Sequence, residues 1–525
     1  MHHECDVLVI GGGGAAVRAA VEAARTDVKV ILVDKGRFER SGSSPLALHG
    51  MATVLPSADS EETLISDLKR IGSDINDLDL VRTAAEESRK EPERLAKMGV
   101  CFVRDPDGHY FYKDTGKSVR LLFDEAANGV NFVAVLGKEA WKRGVILIEG
   151  VMMTQLLVDD GRVVGALGID LEKEIYTFSA GAVVLAAGGA NRLYPNPVPR
   201  ISHPIYRTTG DGFALALNAG LPLVDMEFAN FRDTPPAATF DGIYINAKGE
   251  QFMARYDPVW KEKAPRGKVV EAFYREMQAG RGPIHIEFDE ASARTTRILA
   301  EEYGAYVRAS KGGNPPSVTI TFQRLLGGAW IKPDTSCDIR GLFIAGESAG
   351  GVHGADRLQG GAFLETQVFG RLAGVGATNF VDREKRKEFP ESLVKKHRDD
   401  LLIITHRKEG PKAGDILQKL HQLTWDHAGI VRNADGLKKG IAFIEDLRED
   451  LNTAVGLNTF EVLEVQNLAL TAEVVMRAAS AREETRGTHI RSDFTQTRED
   501  LARKHISIRF KNKSQMEVAT VPSRE

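Results

Sequence analysis

The segment CDVLVIGGGGAAVRAAVEAARTDVKVILVD, residues 5–34, limits the fold more than any other stretch of the chain. An apolar run enters four consecutive glycines, an alanine-rich stretch follows, and a second apolar run ends on Asp34. That order predicts a βαβ unit, with buried parallel strands joined by a helix. Gly11, Gly13 and Ala16 occupy the slots of a GxGxxG/A fingerprint, and Gly12, Gly14 and Ala15 keep the rest of the turn small. A turn without side chains lets backbone amides and a helix N-terminus approach a pyrophosphate, while a carboxylate such as Asp34 at the second strand end can accept from ribose hydroxyls. The segment therefore predicts a dinucleotide site, and FAD and NAD share this fingerprint.

Two later runs repeat the pattern of an apolar strand ending in glycines: AGAVVLAAGGA at 180–190 and GLFIAGESAGG at 341–351. Three such edges predict one ligand touched by distant parts of the chain, through Ala187, Gly188 and Gly189 and through Gly346 and Glu347. Their recurrence, and the start of the unit at residue 5, favour FAD over NAD. Residues 59–143 carry apolar positions at helical spacing, and 144–179 break into short apolar runs, as in an antiparallel accessory sheet. Residues 229–330 are rich in Pro, aromatic and Arg residues, which predicts an inserted cap. From about 385 the pattern is helical and charged, with a polar tail after Ser514 expected to fray. The expected fold is α/β: a Rossmann-like FAD-binding domain in 1–228 and 331–384, an α+β cap in 229–330, and a C-terminal helical domain with its tail in 385–525.

Composition excludes other classes. With 69 Lys+Arg against 73 Asp+Glu the chain has no global basic footprint, so nucleic acid is not its expected partner. No apolar stretch approaches the ~18–20 residues of a membrane span, and no signal-peptide pattern opens the chain, so the expected location is cytoplasmic, with membrane contact only through partner subunits. The three cysteines, Cys5, Cys101 and Cys337, are far apart and form no CxxC. No disulfide framework, metal site or iron-sulfur cluster is expected within the chain, so any such cluster belongs to a partner.

Further motifs follow in order: VVLAAGGANRLYP, TTGDGFALALNAG, GLFIAGESAGGVHGADRLQGGAFLETQVFGRLAG and AREETRGTHIRSDF. With the opening unit they resemble the flavoprotein subunit of the fumarate reductase/succinate dehydrogenase family, which includes L-aspartate oxidase and the alpha subunit of adenylylsulfate reductase. The resemblance covers most of residues 5–494. It implies FAD, approached by Asp211 of TTGDG and by Glu347 at the ribityl chain, with Lys35, Ser41, Gly42, Ser43, Gly50, Phe363 and Leu364 completing the cofactor set. In fumarate reductases a histidine of an RSHT-type motif carries FAD covalently. Here Gly42 of Arg40-Ser41-Gly42-Ser43 occupies that slot, so non-covalent FAD is expected. His49, a few residues on, lies either near the flavin or simply packed or solvated.

The resemblance also implies cations that clamp carboxylates and an arginine that donates a proton. Arg266 of Ala264-Pro265-Arg266 matches the donor, Arg357 of HGADRL matches the clamp, and His353 precedes that clamp in the same turn. Departures are equally specific. The family's MEFVQFHPT appears as Met226–Thr234 with Arg232 at the histidine slot, HYTMGG appears as Gln323–Gly328 with Gln323 there and Arg324 beside it, and TEGxRGEGG is replaced by the shorter PPAATFDG. Arg232 and Arg324 suit an acidic substrate, or stack on cap aromatics. The expected function is two-electron, hydride-type transfer between flavin N5 and a small anionic substrate, a fumarate- or succinate-like dicarboxylate, with electrons exchanged with an iron-sulfur subunit. The ERSG, FRD, GRGPIH and GAW runs also compare with adenylylsulfate reductase, in which sulfite would add to N5 and Arg232 and Trp330 would help form the pocket. A flavin electron-transfer subunit without substrate turnover is the third expectation.

Overall fold

The computed structural model describes residues 1–25, 27–46, 50–114, 117–123, 129–195, 208–234, 242–288, 317–512 and 515–525. Strand β1 (His2–Ile10), helix α1 (Gly14–Ala23) and strand β2 (Val30–Asp34) form the βαβ unit, with Val7 opposite Val30 in parallel register. On its other side β1 pairs in parallel with Ile175–Leu185, which in turn accepts Leu342–Ile344. The strand interiors are buried on both faces, as uninterrupted apolar runs require. One face is covered by α1 and by the long helix Gly361–Arg383. The alanines of α1 explain how close these helices come: a side chain on Gly370 would lie 2.6 Å from the Ala15 carbonyl, and one on Gly374 2.3 Å from that of Ala19.

The segment expected as an antiparallel accessory sheet is part of the same seven-stranded sheet. Met152–Asp159, Arg162–Ile169 and Ile175–Leu185 are antiparallel neighbours, but the last is long enough to pair with β1 as well. Ile146–Glu149 joins the opposite edge, parallel to β2. Between 229 and 325 a four-stranded antiparallel sheet runs in the order Ala229–Thr234, Ser317–Leu325, Ile284–Phe288, Gly242–Ile245. Helix Arg266–Gln278 buries Val269, Val270, Ala272 and Phe273 beside it.

Helices dominate from Glu391 to Ala481, but the chain does not end in a frayed tail. Lys504–Asn512 and Gln515–Pro522 form an antiparallel hairpin, and the first strand also pairs with Leu223–Val224. The alternation in His505-Ile506-Ser507-Ile508 is a period-two signal: Ile506 and Ile508 are fully buried. His505 sits between two buried carboxylates, its Nε2 3.1 Å from Asp77 Oδ1 and its Nδ1 2.8 Å from Asp225 Oδ2. Asp77 also accepts from the Trp330 indole at 2.6 Å and from the Arg524 backbone amide, and the Arg524 guanidinium lies 4.2 Å from the Trp330 ring centroid. These contacts tie the end of the chain to the nucleotide-binding body.

Burial works against charge on His505, but Asp225 and Asp77 outweigh it and raise its pKa to about 10. A histidine whose pKa is raised on folding stabilises the fold fully below its ordinary value of about 6.5, and that contribution is lost as pH climbs through the folded value. In urea titrations the advantage of the wild type over His505→Gln should therefore shrink between pH 7 and pH 10, by on the order of 4 kcal/mol. A pH-independent difference would refute this electrostatic account.

Candidate active site

β1, Ile175–Leu185 and Leu342–Ile344 run parallel, so their C-terminal ends emerge side by side. A cavity of about 400 Å³ opens there. Gly11–Ala15, Asp34–Arg37, Ser41–Ser44, Ala186–Gly188, Gly346 and Glu347 line it, together with Ala362 and Phe363 at the start of the long helix. The strand ends meet because Gly11 has φ +119° and no side chain; a Cβ there would lie 2.2 Å from the Ala186 carbonyl oxygen.

Asp34 accepts from the Ser41 hydroxyl at 2.6 Å and from the Gly36 amide at 3.2 Å, and burial pushes its pKa up against these bonds. Lys35 Nζ reaches Asp211 Oδ2 at 2.7 Å, Thr209 Oγ1 at 2.8 Å and Glu464 Oε1 at 2.9 Å. Burial disfavours its charge, but Asp211 and Glu464 overcome that and raise its pKa. Gly42 lines the cavity with φ +74°.

Four residues expected at the cofactor do not line the cavity. Ala16 is buried in α1, Leu364 is buried in the long helix, Gly189 makes room for the Glu347 side chain, and Gly50 abuts the Leu121 carbonyl. Others went unnoticed in the sequence. The Ser44 hydroxyl accepts from the Gly14 amide at 2.9 Å, Arg37 and Thr208 line the wall, and Glu464 arrives from the C-terminal helix Thr459–Ala481. The serine lay next to a recognised run, whereas nothing local marks Glu464.

Arg324 lines the same cavity and leads to a cluster of cations. Its Nη2 is 3.3 Å from Glu365 Oε2, which also meets His353 Nε2 at 2.9 Å, and its Nε is 3.9 Å from Glu347 Oε1. Arg266 donates from Nη1 to Asn230 Oδ1 at 3.0 Å. The Asn230 amide donates to Asp356 Oδ1 at 3.0 Å, and the Arg357 backbone amide reaches the same oxygen at 2.7 Å. Arg232, half-buried, donates to the Asp233 carbonyl at 3.3 Å.

Burial, reinforced by Arg266 and Arg324, drives the Arg357 pKa well below the ordinary arginine value. Arg266 is also lowered, first by burial, with Asp356 opposing and Arg232 adding to the effect. Burial raises Glu347 and Asp356. Three buried atoms here take no hydrogen bond, Glu347 Oε1, His353 Nδ1 and Arg357 Nε, and Gln323 Oε1, next to Arg324 on the strand Ser317–Leu325, is likewise buried without one. Buried polar atoms without partners are costly, and a ligand would satisfy them.

Trp330 stands elsewhere. It does not line the cavity, and its indole belongs to the Asp77–Arg524 cluster. His285 lies in the cap sheet opposite Ile245. His49 and residues 235–241, which include most of PPAATFDG, lie outside the described residues. Among the described residues no cluster of His, Cys, Asp and Glu could hold a metal, the three cysteines are free, and no helix is long and apolar enough to cross a membrane.

Residues 6–363 match the family profile described as FAD binding domain, and residues 417–524 match that of the fumarate reductase flavoprotein C-terminus. The chain belongs to the fumarate reductase/succinate dehydrogenase flavoprotein family. It is therefore an FAD-dependent oxidoreductase of that type, with FAD as its cofactor. It is 33% identical to one subunit of the fumarate reductase (CoM/CoB) of Methanothermobacter marburgensis, over 95% of this chain and 96% of that protein. Among solved structures, "Quinol-Fumarate Reductase with Menaquinol Molecules" superposes with a TM-score of 0.90 at 25% identity, over 100% of this chain and 99% of the other. Adenylylsulfate reductase from Archaeoglobus fulgidus shares the fold, with a TM-score of 0.82 at 21% identity over 100% of this chain and 96% of that one.

The Lys35 cluster is testable directly. Lys35→Met leaves Asp211 and Glu464 in the cavity wall without their cation, and breaking such a pair from one side should cost about 3 kcal/mol in urea titration and lower the flavin-to-protein ratio. Lys35→Arg should retain most of both.

Proposed function

We propose that this flavoprotein is the catalytic subunit of an enzyme that interconverts a dicarboxylate pair of the fumarate/succinate class. FAD is held non-covalently, and electrons pass to or from an iron-sulfur partner. The observation that carries this reading is the cluster of Arg232, Arg266, Arg324 and Arg357 beside the cavity, with Arg357 Nε buried and unpartnered. Cations desolvated together in this way fit a multiply charged anion. The name of the Methanothermobacter marburgensis relative supports fumarate as substrate.

The cavity residues fit FAD: a side-chain-free turn at a helix N-terminus for the pyrophosphate, Asp34 at the ribose position, and a Glu347 oxygen with no hydrogen bond of its own. Bound FAD supplies two-electron, hydride-level redox chemistry. Arg357 holds a substrate carboxylate, and Arg324 adds positive potential from the cavity side. Arg266 delivers the proton to the substrate carbon in the reductive direction. Its neighbouring cations and its burial favour release, and Asn230, itself held by Asp356, orients the guanidinium. Gly42 offers no side chain for covalent attachment. The family resemblance supports the iron-sulfur partner, and three dispersed cysteines offer no ligand set for a cluster within this chain.

Acid precipitation of the purified protein should release yellow flavin into the supernatant; flavin retained in the pellet would contradict the Gly42 assignment. With dithionite-reduced protein, Arg266→Gln should lower kcat for fumarate reduction by about 10³-fold with little change in KM. Wild-type turnover of adenylylsulfate but not fumarate would instead favour the sulfite reading, and turnover of neither would favour a pure electron-transfer subunit.

A further inference from the structure

Arg120, on the strand Val119–Leu121, is 8% exposed. Most buried arginines of this chain meet a carboxylate: Arg18 meets Glu91 at 2.8 Å, Arg482 meets Glu227 at 2.5 Å, and Arg491 meets Asp493 at 2.8 Å. Arg432, which meets none, instead donates to the Gly429 and Glu227 carbonyls and to His489 Nδ1. Arg120 differs. Its Nη1 donates to Gln359 Oε1 at 3.1 Å, its buried Nε has no partner, and no carboxylate forms an ion pair with it among the described residues. Burial lowers its pKa to about 10, with no charged neighbour contributing.

Its position is equally specific. Gln359 follows Arg357-Leu358, and the next residue, Gly360, has φ +79° and caps the helix Gly361–Arg383. A Cβ on Gly360 would lie 2.5 Å from the Ala52 amide nitrogen and 3.0 Å from Arg120 Cδ, so a bare residue lets the arginine stem lie against this turn. A Cβ on Gly361 would lie 3.7 Å from Arg357 Cγ and 3.8 Å from His353 Cε1. Arg120 and Arg357 thus pack against successive glycines of one turn, and the two residues after it, Ala362 and Phe363, line the cavity.

We propose that Arg120 is a second anion-binding residue of the substrate site, holding the negative group of a dianion that Arg357 does not hold. A desolvated guanidinium without a counter-ion is disfavoured unless an anion completes it, and the helix N-terminus beside it adds positive potential. Gln359 fixes one edge of the guanidinium and leaves the rest for the ligand. The identity of the dianion as a dicarboxylate rests on the function proposed above; the requirement for two anionic groups rests on Arg120 and Arg357 alone.

The test is calorimetric titration of the FAD-loaded wild type and Arg120→Gln with malonate, an unreactive dianion, and with acetate, alongside fumarate kinetics. Loss of one charge-assisted contact should weaken malonate binding at least about tenfold in Arg120→Gln and raise KM for fumarate similarly, with acetate affinity unchanged and kcat within about threefold. Arg120→Lys, which keeps the charge but not the planar fork, should lose part of the malonate affinity and serves if Arg120→Gln does not fold. Malonate binding equal to wild type in whichever variant folds overturns the assignment. If the wild type neither binds malonate nor reduces fumarate, the dicarboxylate reading fails, and titration with sulfate decides Arg120 separately: binding that Arg120→Gln loses upholds it, and binding that the variant keeps, or none in the wild type, overturns it.

Discussion

The approach of Gly11 to the Ala186 carbonyl is the contact on which the rest of the site depends. Two buried parallel strands can end in register only if nothing projects between them, and a bare residue with positive φ provides that. Once the ends meet, the first amides of α1 point into the same space as Asp34, Gly346 and Glu347. The small residues of α1 then let the helix Gly361–Arg383 settle close by, and the start of that helix carries the turn with Arg357 and Gly360. Cofactor cavity and cation cluster are consequently two sides of one packing arrangement.

Electrostatics divides the molecule into two kinds of buried charge. In the C-terminal region most buried charges are matched: Arg482 bonds Glu227 and Glu484, Arg486 bonds Glu484, and Arg432 donates to His489 Nδ1 at 3.0 Å. Burial, followed by the charge of Arg432, holds the His489 pKa well down, so the ring is neutral and its Nε2–H donates to the Arg482 carbonyl. The AREETRGTHIRSDF run therefore joins the helical region to the Met226–Phe228 segment through the Arg482–Glu227 pair. Beside the cavity the balance is different. Glu365 is shared between Arg324 and His353, whose charge burial disfavours, and several polar atoms take no hydrogen bond. A structure rarely retains such atoms without a ligand that completes them.

This contrast separates motifs that bind from motifs that hold. Trp330 illustrates the second kind: its indole donates to Asp77, beside His505 of the terminal hairpin, and the Arg524 guanidinium stacks on its ring. Charge on that histidine is favourable because two carboxylates face it from separate segments of the chain.

The sequence by itself determined the βαβ unit, the three glycine-ended strands and most of the cavity wall, because strand burial, turn geometry and helix spacing are local and repeat with short periods. It also marked Arg266, Arg324 and Arg357, whose motifs are contiguous. Only the tertiary structure decided that Ile175–Leu185 serves both halves of a single sheet, that the polar end of the chain is a strand, and that Glu464 reaches Lys35 from a distant helix. It alone separated Arg120 from the arginines paired with carboxylates, since a missing counter-ion is a property of all the neighbours of a side chain and no local pattern encodes it. Burial and pairing are sums over contacts far apart in the chain, and those sums exist only once the chain has folded.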